Sequence, residues 1–158
     1  MKRYLLALLI SITLISCRET STESGGVYPS ITVGTEKNGS FIVANARIIR
    51  AEWEKKLREA EGIMGSITSL EILKSKTTGK APEDFYMLLA KVNDGQTAMA
   101  TVLVEKEGSF YFDEVNGIIT VCSSKCEEGC LPQGISQEGK IRLACGKCAD
   151  CAKTENPL

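Results

Sequence analysis

Between residues 45 and 62 apolar positions recur at helical spacing. Ile49, Trp53, Leu57 and Ala60 share one stripe, while Glu52 with Lys56 and Glu54 with Arg58 stand four apart on the wet side. Asn45 can cap the start and Gly62 the end, so the pattern predicts one helix there. On either side the period changes to two. Ile31-Thr32-Val33 and Phe41-Ile42-Val43 are short β-prone stretches separated by a Gly/Asn/Lys-rich turn. Further strands are expected over 67–74, 85–92, 97–104, 109–115 and 118–121. Asn93-Asp94-Gly95, the stretch 105–108 and Asn116-Gly117 supply the turns. The pattern therefore predicts an α+β fold, with one N-terminal helix packed on an antiparallel β-meander sheet and a small cysteine-rich module after it. One face of the sheet is expected to be covered by the helix and the other to be partly open.

This order of elements resembles cystatin-like and NTF2-like architectures, an analogy of fold that implies no function. Trp53, the only tryptophan, is expected to anchor the helix to the sheet. At 158 residues, with 43% hydrophobic and 25% charged positions, the chain suits one folded domain with a small appendage. The expected divisions are 1–16, a signal peptide; 17–27, a flexible tether; 28–121, the α+β domain; 122–151, the cysteine module; and 152–158, a tail.

The first residues have the character of a targeting segment. Lys2 and Arg3 precede an apolar run over 5–15, broken only by Ser11 and Thr13 and too short to cross a bilayer of roughly 30 Å. The run ends in Leu14-Ile15-Ser16-Cys17, which resembles the lipobox of bacterial lipoproteins. That resemblance implies cleavage before Cys17, a diacylglycerol thioether on its sulfur, and acylation of the new amino terminus. It places the chain in the bacterial cell envelope, facing the periplasm or the cell exterior. Two or more acyl chains anchor stably where one does not. The following polar stretch over 18–26 reads as a tether.

Charge and histidine content narrow the chemistry. The formal charge is −1, and loss of Lys2 and Arg3 with the signal would take it to about −3, so a nucleic-acid partner is not expected. No histidine is present, which excludes Ser-His-Asp triads, Cys-His dyads and histidine-ligated metals.

Six of the seven cysteines lie late in the chain. Cys122, Cys126 and Cys130 are spaced by four, and Cys145, Cys148 and Cys151 by three. In an exported chain an even six reads as three disulfides, with fifteen pairings open. On brief helical pieces each triplet would share a side, letting the two segments be stapled across residues 131–144. The alternative is a zinc site or an iron–sulfur cluster held by these same six cysteines, because Cys-x2-Cys-x2-Cys presents three thiolates as a ferredoxin loop does. The spacing of the first triplet and the lack of a Cys-Pro ending depart from ferredoxins. A redox-active dithiol is the third option, with Lys125 and Lys147 the residues able to lower a thiol's pKa. The module is also similar to cysteine-rich carboxy-terminal segments of small uncharacterised exported bacterial proteins, which carry no established activity.

The adjacent carboxylates Glu83-Asp84, Asp113-Glu114 and Glu127-Glu128 read as surface charge, since strand neighbours point opposite ways. No catalytic residue stands out. The expected function is that of a membrane-anchored, non-enzymatic binding or structural protein, holding the membrane through Cys17 and meeting an unidentified protein or small molecule. The alternative is an extracytoplasmic redox or electron-transfer protein.

Overall fold

A computed structural model describes residues 26–126, 129–146 and 148–158. The signal segment, Cys17, residues 18–25 of the tether, the Glu127-Glu128 pair and Lys147 lie outside these residues.

The chain enters through a hairpin, β1 (Thr32–Lys37) and β2 (Ser40–Val43), before reaching α1 (Ala46–Glu61). The helix is therefore internal and not N-terminal, because the apolar stretches ahead of it pair with each other and then dock into the sheet. Ile49, Trp53 and Leu57 are fully buried along one stripe, as the periodicity requires, whereas Ala60 is exposed in the last turn. Gly62 closes the helix in the left-handed conformation, its N–H donating to Leu57 O. Asn45 does not cap the start with its side chain. It takes a positive φ of 52°, and its Nδ2 donates to Thr32 O at 2.9 Å, tying the helix start to β1. Glu54 reaches away from Arg58, and its Oε1 accepts the Ile67 N–H at 2.8 Å at the head of β3.

β3 (Ile67–Lys76), β4 (Asp84–Val92), β5 (Thr97–Lys106) and β6 (Ser109–Phe112) follow as an antiparallel meander. The meander then breaks. β7 (Ile118–Ser123) pairs with the first half of β5 along the edge whose second half holds β6. β6 and β7 thus lie end to end, and on that edge Thr101 and Val102 have no strand partner. β1 adds to β6, and β10 (Ala152–Pro157), the segment read as a tail, adds to β7 over its whole length. The remaining pair, β8 (Pro132–Gln137) and β9 (Lys140–Cys145), forms a separate two-stranded hairpin.

Three two-residue turns share one conformation. Asn38-Gly39, Glu107-Gly108 and Glu138-Gly139 all have positive φ at both central positions, the I′ pattern whose twist suits a tight hairpin. Glycine meets the second position without strain.

The sheet is buried on both faces. On one, Ile49, Trp53 and Leu57 of α1 pack on Val33, Ile72, Leu88, Met99, Phe110 and Ile119. On the other, Phe85, Met87, Leu89, Ala98 and Ala100 pack on Leu143 and Ile141 of β9. The face expected to be partly open is thus covered by the cysteine-bearing hairpin, which explains why β4 carries apolar residues on both sides. The hairpin is also pinned at its far end: Thr78 N donates to Gly134 O at 2.8 Å, and Ser136 Oγ donates to Glu83 Oε1 at 3.0 Å.

Candidate functional site

Alternation along β7 separates its residues between the layers. Ile119 and Val121 point to the helix side, while Thr120 and Cys122 take the hairpin side. Cys122 bonds to Cys145 at the end of β9, with Cα atoms 5.6 Å apart. The segment leaving β7 carries Cys126 and Cys130, which bond to Cys148 and Cys151 with Cα separations of 6.5 and 5.8 Å. All three distances fall within the range a disulfide requires. The two triplets are joined in order, first to first and last to last, so the segments run side by side. Cross-stapling of the triplets is thus present, but on strand and loop backbone rather than on helical pieces, since β8 and β9 fill the connection. Every cysteine sulfur of the module is bonded to another, and zinc or iron–sulfur ligation by the six would need these bonds open.

The middle bond has a distinct polar setting. Asp150 Oδ1 lies 3.0 Å from Cys126 Sγ and 2.6 Å from Cys148 Sγ. Ser124 Oγ donates to the same Asp150 oxygen at 2.6 Å, lies 2.9 Å from Cys148 Sγ, and accepts the Cys126 N–H at 2.9 Å. The Lys125 N–H donates to Asp150 Oδ2 at 3.3 Å. The Ser124 hydrogen bond is the main cause holding the Asp150 carboxyl below its ordinary pKa, and the Lys125 amide and charge act in the same direction. Lys125, read as a thiol activator, thus engages this carboxylate through its backbone. A negative carboxylate beside two sulfurs opposes a thiolate, and it offsets the positive charge that Lys125 brings.

The second feature is a groove of about 530 Å3 where β9 passes over the sheet beside the β6–β7 gap. Val102, Ile118, Ile141 and Leu143 give it an apolar lining, and Asp113, Lys140, Arg142 and Glu155 bring charge. Its size falls in the range of small-molecule sites. Burial pushes the Asp113 carboxyl up, but hydrogen bonds from the Asn116 and Val115 amides and the nearby Lys140 charge outweigh it and hold the pKa low. Glu155 is engaged by Lys153 at 2.6 Å. Both carboxylates therefore have partners, whereas the Arg142 guanidinium is held by no hydrogen bond or ion pair among the described residues. Val115, 90% exposed, stands at the mouth.

Sequence reasoning found the six cysteines but missed Ser124, Asp150 and the groove. Asp113, read as surface charge, accepts the Val115 and Asn116 amides and lines the groove. Asp150 carried one available signal, its place between Cys148 and Cys151. Lys140, Arg142 and Glu155 lie on strands that were not expected, so no pattern could bring them together.

In comparisons with known proteins, no family model matches the chain, and neither a curated protein nor a solved structure does.

Proposed function

We propose that this chain is an exported bacterial lipoprotein, anchored to a membrane of the cell envelope through Cys17, whose folded part is a non-enzymatic binding protein. The observation that carries the reading is the in-order pairing of all six late cysteines across two layers of the fold. Such a set forms and persists in an oxidising compartment, and it accounts for every cysteine except the one at the lipobox. The tether then holds the folded part off the membrane surface. Metabolic labelling with palmitate tests the anchor: the label follows the protein into the membrane fraction, and Cys17→Ser abolishes both label and membrane retention. An unlabelled protein recovered from the soluble fraction contradicts it.

The groove beside β9 supports the binding role. An apolar lining with an unengaged guanidinium at its rim suits a small molecule with an apolar body and an anionic head, because Arg grips a carboxylate through two parallel hydrogen bonds. Titration with decanoate, followed by calorimetry, is expected to show binding that decanol does not reproduce. Arg142→Gln should weaken it by about tenfold or more, the value of one charge-assisted hydrogen bond. Equal binding of decanoate and decanol, or no effect of the substitution, removes the groove from the reading.

A further inference from the structure

A disulfide sulfur has no hydrogen to donate, yet Asp150 Oδ1 is held against both sulfurs of the Cys126–Cys148 bond. A carboxylate oxygen in that position has nothing to accept from an oxidised pair. Ser124 Oγ gives this oxygen one hydrogen bond, and the two sulfurs would complement it by each carrying a proton or by sharing a cation with it. Ser124 Oγ and the Lys125 amide fix the carboxylate, and the Cys126 amide fixes Ser124 in turn.

The same bond is the one most open to exchange. Both of its cysteines are half-buried, whereas the other two bonds each have a buried member, Cys122 or Cys130. It also spans the widest of the three Cα separations, 6.5 Å against 5.6 and 5.8 Å. Opening it leaves the bonds on either side to hold the hairpin on the sheet. The sulfurs of Cys122, Cys130 and Cys145 also lie within 4.8 Å of one another, but they belong to two different bonds and are shielded by the core. A site there would need both layer-fastening bonds broken.

We propose that the Cys126–Cys148 pair, opened by a dithiol reductant, forms with Asp150 a site for one thiophilic divalent cation, zinc being the best match. One thiolate of the reductant attacks a sulfur of the bond and forms a mixed disulfide, releasing the first cysteine as a thiol. The second thiol of the reductant displaces the other cysteine and leaves as a cyclic disulfide, so two electrons and two protons have passed to the pair. Zinc then replaces the two thiol protons and gains the Asp150 carboxylate, all three ligand atoms already lying within 4.8 Å of one another. Two thiolates and one carboxylate match the ligand types and low coordination number of zinc and disfavour magnesium or calcium, which take oxygen ligands. Ser124 Oγ or a water supplies the fourth position. This inference does not rest on the lipid anchor or on the groove.

The test uses the exported Cys17→Ser protein, opened with graded dithiothreitol, desalted without air and then given zinc sulfate. Differential alkylation should show Cys126 and Cys148 as the first thiols released, and native mass spectrometry should show one zinc per chain under those conditions. Asp150→Asn, an exposed position, should keep the circular dichroism of the fold and lower zinc affinity by about tenfold or more. The double variant Cys126→Ala/Cys148→Ala should keep the other two bonds and bind no zinc. The proposal is overturned if either flanking bond opens first, if the opened pair takes up no zinc, or if zinc binds the Asp150 or double-cysteine variant as it binds the parent.

Discussion

Gly134 of β8 lies flat against the ring of Phe85 on β4: a Cβ on the glycine would stand 2.3 Å from the ring's Cε1. That approach lets the hairpin that ends in Cys145 seat directly on the sheet. Gly134→Ala is therefore expected to destabilise the protein by about 1–3 kcal/mol through overpacking, measured by urea denaturation. Phe85→Leu trims the obstructing ring, so the double variant should recover part of the loss caused by the alanine. Strict additivity of the two changes would mean that the residues do not meet.

Trp53 and Tyr28 give a second, pH-dependent test. The indole N–H donates to Tyr28 Oη at 3.1 Å, and burial pushes the tyrosine pKa up to about 12, the Trp53 hydrogen bond opposing this in part. The folded state thus favours neutral tyrosine more than the unfolded chain does. The stabilisation is fully present below pH 10 and is lost as pH rises from about 10 to about 12. Tyr28→Phe should cost about 1 kcal/mol near neutrality, from the unpartnered indole N–H, and should remove this alkaline loss. Trp53 fluorescence during denaturation at several pH values reads both effects.

The three disulfides should not contribute equally. Because they join the same two segments in order, each closes nearly the same loop, and losing one leaves most of the chain restriction in place. What distinguishes them is packing. Replacing Cys122 and Cys145 by alanine removes a fully buried sulfur where the layers meet and should cost about 2–3 kcal/mol. Replacing the half-buried Cys126 and Cys148 should cost about 1 kcal/mol or less. Urea denaturation of the two alanine pairs decides the order, and equal losses would contradict it.

Much of the first two-thirds of the chain was legible because local signals and tertiary packing agree there. The stripe Ile49, Trp53, Leu57 and the left-handed Gly62 define the helix, and strands β3, β4 and β5 carry apolar runs bounded by clear turns. Asp94 shows how local such a turn is: it accepts the Gln96 and Thr97 amides at 2.9 and 2.8 Å and the Thr97 hydroxyl at 2.6 Å. The module was not legible as strands, since proline and glycine interrupt regular structure by type, whereas Pro132 is a strand start and Gly134 a close layer contact. Glu138-Gly139 is a weaker turn signal than Asn-Gly, although it adopts the same conformation as Asn38-Gly39. β10 reads Ala-Lys-Thr-Glu-Asn-Pro, with no apolar alternation, and becomes a strand only because β7 offers it an edge. The candidate site depends on these late elements, and that is why its cysteines could be recognised while Ser124, Asp150 and Arg142 could not.

The most direct measurement is the intact mass of the exported wild-type chain before and after reduction, with peptide mapping of the unreduced form. The expected result is a chain beginning at an acylated Cys17, six hydrogens lighter than its reduced form, with the pairs 122–145, 126–148 and 130–151. A chain that keeps Met1 and carries free thiols would contradict both the lipoprotein assignment and the stapled second layer.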